Sequence, residues 1–281
     1  MMQRLRQLHL PMWGGVFILA VLSIYAIWVP MSGSSSDQQD LSNFLLPPSS
    51  EFWLGTDGYG REVWLRLAEA LRLSLLMALV SVLTASSLGI TLGVMAGWGP
   101  RWIDRVMGFV LSLIVALPGL VLVLILSAIV PGSFLMMYIG IALVQWVEFY
   151  RMVRVQAFKV KSSPAMESSR LMGFGYGYCF ARHLWPAIAP QVRTLAAFGA
   201  AAAIMMMASL GFIYVGIQPP RAELGLMIVE QFPYYSDAPW LLMAPLVTLT
   251  LIVLACHLIA QPKRSVVLEH STQQLMQRRA A

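Results

Sequence analysis

From Val106 to Val147 the chain runs 42 residues without a single Asp, Glu, Lys or Arg. Four more stretches share that property: Gln7–Ser36, Leu73–Pro100, Thr194–Pro220 and Ala238–Pro262. A helix needs about 20 apolar residues to cross the hydrocarbon core of a bilayer, so each stretch is long enough to span. The longest is interrupted by Pro131-Gly132-Ser133, a turn signal, and divides into two. The pattern predicts an all-α, polytopic membrane protein with six spans, at about 11–30, 74–97, 106–130, 134–152, 194–216 and 239–260. Composition agrees. The 281 residues are 58% hydrophobic and 11% charged, against about 25% charged in a soluble domain. The first apolar run is longer than a signal-peptide core and reads as a retained first helix.

Lys and Arg bias orients the spans, because cytosolic segments carry the excess. With the N-terminus inside, fifteen of the nineteen basic residues and four of the thirteen acidic ones are cytosolic. The other face keeps only Arg61, Arg66, Arg72 and Arg221, beside nine acidic residues. The expectation is N-in and C-in. Three parts follow: a first helix with its outer loop over 1–73, a five-helix core over 74–262, and a cytosolic tail over 263–281. A nucleic-acid reading would need a clustered basic face beside a soluble fold, and the sequence shows neither. Cys179 and Cys256 share no metal spacing and read as packing residues.

The cytosolic segment between the fourth and fifth spans is longer than a connector needs to be. Ser163 suits an N-cap, Pro164 the first helical position, and Gly173 a left-handed helix stop. Glu167 lies in the first turn, where a negative charge is favoured. A second short helix, about Tyr176 to Trp185, is expected to end before Pro186. These residues predict a helix–glycine–helix hairpin over 163–186. They leave two placements open, flat on the lipid surface or seated in a partner. The aromatic run Phe174, Tyr176, Tyr178 and Phe180 suits a partner's pocket.

The spacing Glu167-Ser168-Ser169, three residues, Gly173, nine residues, His183 and then Pro186 resembles the EAA loop of bacterial ABC importer permeases. Ser168 and Ser169 replace the alanines, and Trp185 replaces a leucine. Two further segments resemble the C-type permease subunit of the dipeptide, oligopeptide and nickel family. One is Leu54-Gly55-Thr56-Asp57-Gly58-Tyr59-Gly60-Arg61-Glu62, with Leu65-Arg66 and Arg72-Leu73-Ser74-Leu75 following. The other runs from Ser209-Leu210-Gly211 to Gly216-Ile217-Gln218-Pro219-Pro220, with Glu223 and Gly225 beyond it. Glu62, Leu65 and Leu224 depart from the family pattern.

The resemblance implies a type I ABC importer transmembrane domain in a bacterial inner membrane. It implies a second permease subunit in a heterodimer, two ATPase subunits and a periplasmic solute-binding protein. It also implies no catalytic residue, metal or cofactor of the chain's own, with ATP bound by the partners. The solute would be a short peptide, nickel or a metal chelate. Glu167, Ser168, Ser169, Gly173, His183 and Pro186 would couple to the ATPase, with Glu167 capping the hairpin or reaching a basic partner residue. In the outer motif, Gly55, Thr56, Asp57, Gly60 and Arg61 read first as a tight turn held by polar contacts and second as a solute contact.

Few ionisable groups lie in the spans. Glu148, near the cytosolic end of the fourth span, is expected either to pair with Arg151 one turn away or to snorkel to the interface. The absence of mid-membrane carboxylates argues against a secondary carrier. Ser209 and His257 could in principle form an intramembrane protease dyad, but they are placed at different depths. Gly89, Gly93, Gly97, Gly140 and Gly199 suit close helix packing, and Pro118-Gly119 suits a kink.

Overall fold

The computed structural model describes residues 10–29 and 36–261, and the expected 263–281 tail lies outside them. The described residues are built on helices, in the order α1 Leu10–Trp28, α2 Val63–Trp98, α3 Arg101–Val115, α4 Gly119–Ile129, α5 Phe134–Lys161 and α6 Pro164–Leu171. A single helix of 37 residues follows, α7 Tyr176–Phe212. The short α8 Leu224–Gln231 and α9 Pro239–Ala260 complete it. Among the described residues α1, α2, α7 and α9 are each long and apolar enough to cross a membrane, and α3 with α4 form a bent pair. One face of the bundle bears the α6–α7 hairpin. The other bears the loop between α1 and α2.

The centre of the bundle is the α2–α5 pair. Gly89, Gly93 and Gly97 fall every fourth residue on α2 and present bare backbone to α5. A Cβ at Gly93 would stand 2.9 Å from Val153 Cβ and 3.1 Å from the Tyr150 carbonyl. One at Gly97 would stand 2.5 Å from Ala157 Cβ, and one at Gly89 would overlap Phe149. A Cβ at Gly140 would stand 3.1 Å from Val123 Cα of α4, and one at Gly199 would stand 3.4 Å from the Val82 side chain. Gln145, buried in α5, donates from Nε2 to the Gly199 carbonyl at 2.7 Å. α1 and α9 pack together and complete the bundle through α2 and α7.

Several elements differ from the hydropathy reading. α2 begins at Val63 rather than near 74. Arg66 is fully buried and paired there, so a charge that lies short of the charge-free run by sequence lies inside the helix. The 106–130 segment is two helices bent by 78°, because Pro118 cannot continue a helix past the preceding residue. α5 runs nine residues beyond 152, to Lys161. The second arm of the hairpin does not end before Pro186. Phe180–Leu184 form a π turn in which the Trp185 N–H reaches the Phe180 carbonyl. Widening the turn accommodates Pro186 at the start of the next α segment, and the helix continues to Phe212. Finally, Glu148 makes no ion pair with Arg151 among the described residues.

Gly93→Val is expected to overpack the α2–α5 seam by about 1–3 kcal/mol. A fall of roughly 5–10 °C in the apparent melting temperature of the detergent-solubilised protein would record it.

Candidate functional site

Two candidate sites lie at opposite ends of the α2–α5 pair. On the hairpin face, α6 starts as its residues dictate. Ser163 Oγ accepts the Met166 N–H at 3.3 Å, and Pro164 takes the first turn. α6 ends at Gly173, whose φ of +83° lies in the left-handed region that favours glycine. The chain then reverses through Gly175 into α7.

One side-chain bond closes the two arms: Ser169 Oγ lies 2.8 Å from His183 Nε2. Met166, Cys179 and Leu184 are buried beneath it. Leu184 and Ile188 pack with Val153 and Ala157 of α5, and with Ile90, Val94 and Trp98 of α2. Lys161 Nζ donates to the Trp98 carbonyl at 3.1 Å, and Trp98 Nε1 to the Ala157 carbonyl at 3.1 Å. The hairpin base is therefore joined to α2, α5 and α7 together.

The tip is a different surface. Leu171 is 84% exposed and Met172 75%, with Phe174, Tyr176 and Tyr178 exposed beside them. Phe174 and Tyr178 stack at 4.2 Å, and the Arg170 guanidinium lies 5.8 Å from the Tyr176 ring. Glu167, Ser168 and Pro186 are exposed. Ser163, not Glu167, caps the helix. The Glu167 carboxylate has no hydrogen-bond or ion-pair partner among the described residues.

On the loop face, residues 36–62 form a cap over the start of α2. Gly55 and Gly60 have φ of +72° and +69°. A Cβ at Gly60 would collide with the Asp40 carbonyl. Thr56 is buried, accepts the Leu46 N–H at 2.8 Å, and donates to the Asn43 carbonyl. Asp57 accepts from the Tyr59 and Arg61 N–H groups at 2.9 Å each, and from Arg61 Nε at 2.7 Å.

Four charges meet behind this turn. Arg61 and Arg66 both reach Glu230 of α8, at 3.2 and 2.8 Å, and Arg66 Nε stands 3.6 Å from Asp57. Asp57 and Arg61 are 3% exposed and Arg66 0%, so these residues face protein rather than an open solute path. Two cations against two anions let the group be buried without net charge, as a lone ion could not be.

Sequence reading missed Glu230, and named Glu223 only as part of a family-like segment. Glu230 lies 164 residues from Arg66, and no local spacing connects them. The available signal was Arg66 itself, a cation opening an apolar helix and therefore in need of a partner. Glu223 caps α8, accepting the Leu226 N–H at 2.8 Å, and is 1% exposed. Gly211 and Gly225 leave room for it, since a Cβ on either would collide with Glu223 or with Ala208. Burial pushes its carboxyl from an ordinary 4.5 up to about 7.

Ser209 and His257 are not brought together. Ser209 Oγ donates to the Met205 carbonyl at 2.8 Å, while the His257 ring contacts the Val253 carbonyl at 3.1 Å and the edge of Phe198. Cys179 and Cys256 are free and buried.

Residues 89–261, more than half of the chain, match the model of the family described as binding-protein-dependent transport system inner membrane component. The chain belongs to that family. The match spans both arms of the hairpin, the α2–α5 seam and α7–α9. The chain is 31% identical over 251 residues to the dipeptide transport system permease protein of Alkalihalophilus pseudofirmus, covering 89% of this chain and 83% of that one. The glutathione transport system permease protein of Pectobacterium atrosepticum is 29% identical over 262 residues, covering 92% and 86%. An oligopeptide transport system permease protein of Mycobacterium bovis is 27% identical over 243 residues, covering 86% and 83%. The protein is thus a multi-pass inner-membrane permease subunit of an ABC importer, the class of system that works with ATPase and solute-binding partners. No nickel permease stands among these three relatives.

Arg66→Met would leave Asp57 and Glu230 to share Arg61 alone, an uncompensated negative charge in a buried site, and is expected to cost about 3–5 kcal/mol. Loss of monodisperse protein on size exclusion would report it, with recovery in part when Glu230→Gln is added. For Glu223 the folded protein holds the proton more tightly than the unfolded chain does. Its contribution is complete below pH 4.5 and is lost as pH rises through about 7. The apparent melting temperature should fall over that window by the equivalent of about 3 kcal/mol, and Glu223→Gln should flatten the slope.

Proposed function

We propose that the hairpin face is cytosolic, that the chain crosses the membrane six times with both termini inside, and that the hairpin seats in an ATPase subunit. The single observation behind this reading is the contrast within the hairpin. Its base is packed and hydrogen-bonded, while its tip exposes Leu171, Met172, Phe174, Tyr176 and Tyr178. Water does not favour such a surface on a segment that carries Arg170 and Arg182, and a partner's pocket does. Glu167, exposed and without a partner, is free to meet a basic residue of the ATPase.

The geometry suggests how work crosses into the membrane. Ser169 and His183 tie α6 to α7, and Lys161 and Trp98 tie the end of α5 to α2. Closure of an ATPase on the tip would displace both arms together, and the glycine seam would carry α2 with them. The chain itself would hydrolyse nothing and hold no cofactor. A second permease subunit, in a heterodimer, would complete the pathway.

The loop-face cap, rigidified by Asp57, Arg61, Arg66 and Glu230, would meet the solute-binding protein. For the solute we favour a short peptide. Dipeptide, oligopeptide and glutathione are what the named relatives carry, and among the described residues no group of three or more His, Cys, Asp or Glu could hold a metal ion.

Phe174→Asp should leave the melting temperature of the permease unchanged, because this ring lies on the exposed tip. It should weaken ATPase retention roughly 30-fold and abolish ATP-dependent uptake of a labelled dipeptide into proteoliposomes. Uptake that persisted with no ATPase present would instead identify a secondary carrier.

A further inference from the structure

α7 runs unbroken for 37 residues, yet its backbone ladder is thin over 180–190. The Trp185 N–H goes to the Phe180 carbonyl, five residues back, so the Ala181 carbonyl loses the donor that an α-helix would supply. Pro186 and Pro190 carry no N–H, so the Arg182 and Pro186 carbonyls lose theirs as well. Thr194 Oγ1 donates to the Pro190 carbonyl at 3.2 Å, a back-bond of the kind that bends helices. Helices bend at π turns and at prolines, and this stretch holds both.

The two ends of α7 are held differently. Before Pro190, Ser169 ties His183 to α6, and Leu184 and Ile188 are buried against Val153 and Ala157 of α5. That end moves with the hairpin and the α2–α5 pair. Past Pro190, Val192 and Leu195 touch the Trp146–Tyr150 cluster. The buried positions then become small, at Gly199, Ala201 and Ala203, and small side chains build no ridge to interlock with α5. Two side-chain bonds link this end to α5. Gln156 Nε2 donates to Gln191 Oε1 at 3.2 Å, exposed and beside Pro190. Gln145 Nε2 donates to the Gly199 carbonyl at 2.7 Å, while the buried Gln145 Oε1 has no hydrogen-bond partner among the described residues. A buried amide with one arm unmet gains less by staying in place. A bend of about 10° at Pro190 would move Gly199, about 14 Å on, by about 2 Å, and Phe212, about 33 Å on, by about 6 Å. The first shift is enough to break the Gln145 bond.

We propose that α7 is a jointed lever, with its hinge over 180–190 and with the Gln145–Gly199 bond as the latch that holds its far end against α5. This rests on the reading of the hairpin as the seat of an ATPase. ATPase closure moves the hairpin and the α2–α5 pair as one body, the latch opens, and α7 beyond Pro190 swings against that body. The hinge turns a push at the hairpin into a change of angle inside the bundle, where a rigid α7 would only be carried along.

The test uses the whole transport system in lipid nanodiscs, with Cys179 and Cys256 replaced by alanine and spin labels on cysteines placed at exposed positions. One pair, Leu83 and Ala181, joins α2 to the hairpin. The other, Leu83 and Phe212, joins α2 to the far end of α7. When a non-hydrolysable ATP analogue is added, electron–electron distance measurement should show the first separation unchanged and the second altered by about 6 Å. Pro190→Ala, which returns a donor to the Pro186 carbonyl, should at least halve that change. Gln145→Leu should populate the nucleotide-bound separation before nucleotide is added, in protein that still elutes as a single species. Both separations changing together, neither changing, a full change in Pro190→Ala, or no effect of Gln145→Leu would each overturn the jointed lever while an ATPase still co-purified. Absence of any ATPase from the wild-type complex would overturn the reading of the hairpin, and this proposal with it.

Discussion

The close approach of α2 and α5 is the constraint on which the rest of the molecule depends. Lipid tails are as apolar as leucine, so two membrane helices gain little by hiding side chains from them. What holds them is contact over a long, shallow seam, and three glycines on one face of α2 provide it. Because the two backbones lie so near, the pair behaves as one rigid strut. Each functional surface is mounted on an end of it. The hairpin base rests on Trp98, Val153 and Ala157, and the loop cap rests on the first turns of α2 through Arg66.

The two ends are built differently because their surroundings differ. The loop cap is held by charge. Two arginines and two carboxylates neutralise one another where water is scarce, and the turn glycines let the backbone donate to Asp57. This arrangement ties the cap to α8 and sets it rigidly over the bundle. The hairpin is held by packing and a single side-chain bond, and it leaves its apolar tip outward. One end is a cap held in place by buried charges, and the other presents an apolar knob. A permease between a solute-binding partner on one side and an ATPase on the other is served by that asymmetry.

Much of this was legible in the sequence. The charge-free stretches, Ser163 before Pro164, Gly173 at a helix stop, the glycine spacing on α2 and the Pro118 kink all report local or periodic preferences, which survive in any tertiary context. The errors came where tertiary contacts override such preferences. Arg66 looks like a loop residue short of the apolar run until Glu230 is placed against it. Pro186 looks like a helix stop until a π turn makes room for it.

The sequence by itself determined that the chain lives in a membrane, where its apolar stretches lie, where the hairpin lies and what kind of permease it resembles. These depend on hydropathy, on residues with strong backbone preferences, and on motifs read along the chain. Only the tertiary structure decided which charges are paired and which are left over. It joined Arg61 and Arg66 to Glu230, buried Glu223 at the start of α8, and left Glu148 exposed. The reason is physical: the cost of a charge in a low-dielectric interior depends on what lies within a few ångströms in space, and linear order does not record that distance.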